Sequence, residues 1–358
     1  MTELKELLRK LAEAHGVSGY EGEIRNIIAV ELNEYVDEIK IDRLGNLIAT
    51  KRGKGKKPSV MIAAHIDEIG FMVKHISDEG FIFFSTIGGW FEQTLLNQRV
   101  IVHAERDRGG LYGVIGSKPA HVMKKEEREK VVKSEDMFID VGARSKGEVE
   151  GMGISIGTPV TIDRHLVELA NERTTCKAFD NRSGVAVMIE AVKRIGIDTE
   201  FEFEVYAVGT VQEEVGLKGA RTAAYALSPD LAIATDVNVA GGHPGIEKKD
   251  TPVEVEKGPV ITVSDASGRG IITPPSVLKW LKETAARYKI DYQLSVADGG
   301  TTDATAIHLS KIGIPTGVVG VPTRYIHTPV ELLSLRDLDK AAELVARAVE
   351  HAGDYFLK

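Results

Sequence analysis

Five apolar, strand-like runs in this 358-residue chain each end in a side chain able to bind a metal or move a proton. They read VMIAAHID (His65, Asp67), TTCKAFDN (Asp180), FEVYAVGTVQEE (Glu213, Glu214), LAIATD (Asp236) and PTGVVGVPTRYIH (His327). Stacked as parallel strands, they bring two imidazoles and at least three carboxylates to one edge of a sheet. Ligands of open α/β sheets bind in the crevice outside the carboxyl ends of the strands. A set that mixes His with carboxylates suits Zn2+ or Co2+, whereas an all-oxygen set suits Mg2+ or Ca2+. The chemistry such a set points to is hydrolysis.

Each residue has a second reading. His65 and Asp67 stand at i and i+2 and share a strand face, so the carboxylate can orient the imidazole. Alone, they are equally a surface pair at a strand end. Asp180, in KAFDNRSG, is either a helix cap or a carboxylate aimed outward from a rigid strand-to-helix turn. Successive side chains of a regular strand face opposite sides, so at a strand end one of Glu213 and Glu214 can bind metal while the other reaches a water. The alternative is an acidic first turn favoured by the helix dipole. Asp236 and His327 read singly as loop residues, and their shared position at strand ends is what marks them. Gly299-Gly300-Thr301-Thr302-Asp303 precedes a helix but lacks the Lys and the spacing of a phosphate loop; it reads as backbone lining a substrate pocket, with an ordinary turn as the alternative. His15, His75, His103, His121, His165, His243, His308 and His351 lack the strand-end context and read as structural.

The elements that must position these residues follow from periodicity. Residues 3–14 form a helix with Leu4, Leu7, Leu8 and Leu11 on one face. Ser18 and Glu21 have capping-box spacing ahead of a second helix carrying Ile24, Ile27, Ile28 and Leu32. IKIDRLGNLIATKRG reads as a hairpin turning at Gly45-Asn46, followed by the strand PSVMIAAHID. Over 69–163 short strand-like pieces alternate with turns. Within them KKEEREKVVKSED (124–136) is a solvated loop or short surface helix.

After Asp163 strands and helices alternate: SGVAVMIEAVKRI (183–195), FEFEVYAVGTV, GLKGARTAAYAL (216–227), LAIATDV, PSVLKWLKETAARYK (275–289) and LRDLDKAAELVARAVEHA (335–352), the last capped by Ser334. Such alternation implies an α/β fold with a mostly parallel central sheet flanked by helices. The expected organisation is a discontinuous catalytic domain (1–68 and 164–358) with an inserted, smaller β-rich domain (69–163).

Composition bounds the partners. Lys and Arg number 45 against 53 Asp and Glu, a net charge of −8, and no basic block interleaves with aromatics. That argues against nucleic acid as the partner. The single cysteine, Cys176, permits no intrachain disulfide and points to a reducing compartment. The N-terminal MTELKELLRKLAEAH is charged and helix-periodic, unlike a signal peptide. No apolar run approaches the roughly 18–20 residues of a membrane span. A cytoplasmic protein without membrane contact is expected.

With AAHIDEIG, KAFDNRSG, TVQEEVGLKGA, IATDV, GGTTDA and RYIHT in this order, essentially the whole chain resembles the tetrahedral aminopeptidases. These are cytosolic dinuclear metallo-aminopeptidases of the co-catalytic zinc exopeptidase clan. The resemblance implies two divalent ions per subunit, Zn2+ or Co2+, bridged by Asp180. His65 and Asp236 would complete one metal site, and Glu214 and His327 the other. Glu213 would be the general base and Asp67 the support of His65, with a cis peptide between Asp180 and Asn181. The inserted segment would be a dimerisation domain, with dimers assembling into a hollow dodecamer that acts on short peptides. The resemblance leaves the preferred N-terminal residue open, and gives no role to Glu68, which adds a charge directly after Asp67. Two rival readings remain. A glycoside hydrolase acting on β-glucans needs carboxyls about 5–9.5 Å apart across a sugar bond, a poor match to adjacent glutamates. A non-catalytic scaffold leaves a complete site set unused.

Overall fold

A computed structural model describes residues 2–54, 58–104, 110–196 and 203–356. The first strands are β1 (Glu38–Ile41), β2 (Leu47–Lys51) and β3 (Val60–His65). Next come β4 (Gly70–Ile76), β5 (Ile82–Ile87), β6 (Arg99–Val102), β7 (Leu111–Ile115), β8 (Ile139–Asp140) and β9 (Pro159–Ile162). The remainder are β10 (Val167–Glu168), β11 (Arg173–Cys176), β12 (Val205–Thr210), β13 (Leu231–Val239), β14 (Val260–Ser264), β15 (Gln293–Val296), β16 (Thr316–Thr323) and β17 (Glu331–Ser334). The expected strand FEFEVYAVGTV begins at Phe201 and Glu202, which lie outside the described residues.

Eight strands form the central sheet in the order β1-β2-β12-β3-β13-β16-β14-β15. The middle four, β12, β3, β13 and β16, run parallel, while β2 and β14 pair antiparallel at their flanks. The mostly parallel sheet is the one the strand–helix alternation predicts. The hairpin of β1 and β2 turns where expected, because Asp42 Oδ1 accepts the backbone N–H groups of Leu44, Gly45 and Asn46.

Both faces of the sheet are covered, which is why β3 reads as an unbroken apolar run. Val60, Ile62 and Ala64 face a core shared with the helices Phe179–Ile195 and Leu335–Glu350. Met61 and Ala63 face the opposite core, with Ala220, Ala223 and Ala224 of the helix Lys218–Leu227. Ser334 caps its helix as expected, its side chain accepting from Arg336 N.

Strands β4 to β9 close into a six-stranded barrel, in the order β4-β5-β8-β7-β6-β9, with its own core of Phe71, Phe84, Val100, Ile115, Ile139 and Val160. The 124–136 segment contains a short α-helix, Lys125–Arg128, and a 3-10 turn, Ser134–Asp136, and is largely exposed.

Two expectations are corrected. Ser18 and Glu21 make no capping box: the helix Gly22–Leu32 starts after Glu21 without a side-chain cap. The Ser18 hydroxyl donates instead to Asp67 Oδ2 at 2.6 Å, a charge-assisted bond inside the protein that outcompetes the local cap. The TTC run is not in the central sheet. It forms β11 of a separate antiparallel sheet, β10-β11-β17, because it pairs with Glu331–Ser334 on one side and Val167–Glu168 on the other.

Candidate active site

Four of the five runs, β12, β3, β13 and β16, lie side by side and point the same way. Thr210, the last residue of β12, pairs with His65, the last of β3. Ala234 of β13 pairs with Ala63, so Asp236, two residues on, is level with His65. Asp236 does not end its strand as its run suggests, since β13 continues to Val239. Asp180 arrives from elsewhere, at the start of the helix that follows β11. The Asp180–Asn181 peptide is cis. Asn181 is tied down, its amide donating to Thr235 O and its Oδ1 accepting from Gly184 N.

The chain bends sharply to present the rest. Gln212 and Gly216, on either side of the glutamate pair, both have positive φ, and so do Tyr325 and His327. Left-handed backbone at the non-glycine residues Gln212, Tyr325 and His327 is uncommon and is held by the surrounding structure. For the glutamate pair the holder is Asp67, which accepts the backbone N–H of Glu213 at 3.0 Å and of Glu214 at 3.2 Å. Asp67 also lies 3.5 Å from His65 Nδ1, whose nearest acceptor is the Asp67 carbonyl at 3.2 Å. Burial works against the Asp67 charge, but His65, Ser18 and the Glu213 amide outweigh it and keep its pKa below the usual value.

All seven sequence-identified side chains therefore meet in one place. His65 Nε2 lies 3.1 Å from Asp180 Oδ1, 3.8 Å from Glu213 and 3.9 Å from Asp236. His327 Nε2 lies 3.3 Å from Asp180 Oδ2 and 3.4 Å from Glu214. The two oxygens of Asp180 thus face different imidazoles. Among the described residues, two groups offer donor atoms mutually within 4.8 Å: His65, Asp180 and Glu214, and His65, Glu213 and Asp236.

The electrostatics are those of crowded anions. Burial, with neighbouring carboxylates, pushes Glu213, Glu214 and Asp236 above their ordinary pKa values. The pKa of His65 is raised against the effect of burial by Glu213, Asp180 and Asp67, and that of His327, likewise against burial, to about 11 by Asp180 and Glu214. Carboxylates packed this closely need positive charge among them. The buried Oε1 of Glu214 has no hydrogen-bond partner. An orphaned oxygen amid His and carboxylate donors is what a bound divalent cation satisfies.

Other contributors gave no clear sign in the sequence reading. Glu331, buried on β17, accepts the backbone N–H of Asp180 with one oxygen at 2.8 Å and that of His327 with the other at 3.0 Å. Asp303 closes the segment expected to line a substrate pocket with its backbone, and its side chain has a part of its own. It is buried, accepts the Thr210 hydroxyl, and is pushed by burial to a pKa of about 6. The barrel domain reaches the site through Gly88-Gly89, where a Cβ on Gly89 would sit 3.3 Å from His327 Nδ1. Glu68 turns away from the cluster into an ion pair with Lys177 at 2.8 Å, with Arg182 at 3.5 Å.

The M42 glutamyl aminopeptidase family model matches residues 45–344. A putative aminopeptidase of Acetivibrio thermocellus is 43% identical over 96% of this chain and 98% of its own length. An aminopeptidase structure from the archaeon Desulfurococcus kamchatkensis superposes with a TM-score of 0.92 at 44% identity, covering 98% of this chain and 94% of that one. The TET1 peptidase of Pyrococcus horikoshii, whose structure is described as assembling into a tetrahedron or a large octahedral shell, gives a TM-score of 0.86 at 35% identity. That match covers 97% of this chain and 99% of the other.

Proposed function

The chain belongs to the M42 glutamyl aminopeptidase family, and from that membership and the cluster's geometry we propose that it removes the N-terminal residue of short peptides using two divalent ions. The observation that carries this reading is Asp180, whose Oδ1 faces His65 and whose Oδ2 faces His327. A carboxylate so placed could hold two ions, and His65 with Asp236 would complete one set of ligands and Glu214 with His327 the other. The mixed imidazole and carboxylate donors favour Zn2+ or Co2+. Two such ions, when bound, acidify a water and polarise the scissile carbonyl.

The protein's own groups do the rest. Glu213 offers an oxygen beside His65 and Asp236 but is left over once Asp180 serves both ligand sets, and its raised pKa suits a group that accepts a proton and returns it. We assign it the role of taking the proton from the attacking water and delivering it to the leaving amine. Asp67 fixes the turn that carries Glu213 and holds His65, and Glu331 fixes the backbone at Asp180 and His327. The remaining carboxylates give the substrate's α-ammonium a counter-charge, which restricts cleavage to the first residue.

Residues 69–163, with their closed barrel, form the dimerisation domain in this reading, and dimers assemble into a dodecamer. Among the described residues no helix is long and apolar enough to cross a membrane.

The test is a panel of aminoacyl anilides with free and acetylated N-termini, plus a β-glucan, on metal-reconstituted protein. Free amines should be cleaved, with activity lost to a chelator and restored by Zn2+ or Co2+. Equal rates on acetylated substrates, or turnover of the glucan alone, would refute the assignment.

A further inference from the structure

Ser18 and Glu21, whose spacing makes no helix cap, both contact the machinery of the glutamate turn. Three successive backbone N–H groups of that turn donate to side-chain carboxylates. Gln212 donates to Glu21 Oε1 at 3.3 Å, Glu213 to Asp67 Oδ1 at 3.0 Å and Glu214 to Asp67 Oδ2 at 3.2 Å. Just before them, the Val211 N–H donates to Asn46 Oδ1 at 3.0 Å. Gln212 has a φ of 56°, so a residue in the left-handed region sits among these bonds and is kept there by them.

Asp67 is fully buried, and its Oδ2 accepts the Ser18 hydroxyl at 2.6 Å in addition to the Glu214 N–H. A hydroxyl on an ionised acceptor makes a short, strong bond. Glu21 is buried as well, and its Oε1 accepts the Gly19 N–H at 2.6 Å beside that of Gln212. The segment presenting both side chains is itself pinned. The Glu68 N–H donates to Gly16 O at 2.9 Å, the Gly16 N–H to Glu68 Oε1 at 3.0 Å and the Tyr20 N–H to Val17 O at 2.7 Å. The Tyr20 hydroxyl donates to Gly157 O of the barrel domain at 3.1 Å. Neither Ser18 nor Glu21 lines the cleft that holds the cluster, so neither is placed to touch substrate.

We propose that Ser18 and Glu21 are positioning residues for the general base: Ser18 locks the Asp67 carboxylate, Glu21 locks Gln212, and together they fix the turn that aims Glu213. The inference rests on the aminopeptidase reading above. Without the Ser18 hydroxyl, Asp67 Oδ2 keeps only the longer bond to Glu214, and the carboxylate that sets both glutamate amides gains freedom to turn. A small misplacement of a group that transfers a proton is costly in rate. Partners that orient the groups of a metal site typically matter about tenfold to a hundredfold.

The experiment uses full-length, metal-reconstituted protein and two readouts: amide hydrogen exchange over residues 211–217, and kcat and KM on the aminoacyl anilide that the wild type cleaves best. Ser18→Ala should speed exchange of the Glu213 and Glu214 amides at least about tenfold and lower kcat at least about tenfold, with KM within about threefold. Exchange in the helix Leu335–Glu350 should not change. Ser18→Thr, which keeps the hydroxyl, should bring exchange and kcat back to within about threefold of wild type. Glu21→Ala should speed exchange at Gln212, whereas Glu21→Gln should not, because one amide oxygen can accept both N–H groups. Exchange or kcat unchanged in Ser18→Ala, equal losses in Ser18→Thr, or exchange speeded equally in the distant helix each overturn the role of Ser18. Should Ser18→Ala not fold, the two Glu21 variants decide, and equal exchange at Gln212 in both overturns the inference. No wild-type turnover overturns the aminopeptidase reading and this role with it, whereas normal wild-type turnover with unchanged exchange in Ser18→Ala overturns this inference alone.

Discussion

Glu331→Gln is the most discriminating perturbation of the site, because it changes one atom of a group that touches no substrate. Each Glu331 oxygen accepts one backbone N–H, that of Asp180 or that of His327. Glutamine has the same shape but only one oxygen, so either flip of the amide points an NH2 at a buried N–H. One hydrogen bond to a charged acceptor is lost and one donor is orphaned, a cost of about 1.5–3 kcal/mol. If that cost falls on the metal-bound form, affinity weakens roughly tenfold to a hundredfold, at 1.4 kcal/mol per decade. The assay is calorimetric titration of apo wild type and variant with Zn2+ or Co2+, followed by kcat at saturating metal. Affinity should drop within that range while kcat recovers to within a few-fold, since the variant loosens the backbone beneath Asp180 and His327 and leaves Glu213 in place. Burial and the Asp180 charge push the Glu331 pKa well above the ordinary value, against the two N–H groups. A Glu331 that is already protonated would be mimicked well by glutamine. Metal affinity within twofold of wild type would therefore refute the claim that an ionised Glu331 holds the two backbones.

Other consequences can be measured independently. Glu213→Gln should retain both metals by elemental analysis and lose at least about a hundredfold in kcat, the usual contribution of a general base; near wild-type turnover sinks that assignment. Asp180→Ala should lose metal and activity together, and a metal-loaded, active variant argues against bridging. Glu68→Gln should destabilise the fold by about 3–5 kcal/mol in chemical unfolding, because it strands Lys177 and Arg182 without their buried partner. Burial raises the Glu68 pKa, but Lys177 and Arg182 outweigh that and leave it below the usual glutamate value. A depressed carboxylate stabilises above its unfolded pKa and loses that contribution as pH falls through its folded one. The wild type should therefore lose stability on acidification below about pH 4.5 more steeply than Glu68→Gln, and parallel curves for the two would contradict the pairing.

The sequence carried the central sheet and most of the cluster because both depend on local pattern. An apolar run buried on both faces, as in β3, can be little but an inner strand, and a polar residue at its end stands out. What escaped the reading depends on pairing across long separations. Ser18 has a glutamate three residues on, and nothing local says that a carboxylate 49 residues away takes its hydroxyl. Glu331 lies 151 residues from the amide of Asp180, although a lone Glu in the apolar stretch VELL is a signal, since a charge is rarely buried without a task. Asp180 is the instructive case, for its run belongs to β11 and not to the central sheet. In that smaller sheet Cys176 pairs with Glu331. Asp180 follows Cys176 by four residues and His327 precedes Glu331 by four, so the two leave adjacent strands near the same point. One antiparallel pairing therefore sets the place of Asp180, of His327 and of the carboxylate that ties their backbones together. The parallel sheet independently supplies His65, Asp236 and the glutamate pair. The cluster forms only where these two sheets meet, and loosening the β11–β17 pairing should disturb Asp180 and His327 together while leaving the strand ends of β3 and β13 in register.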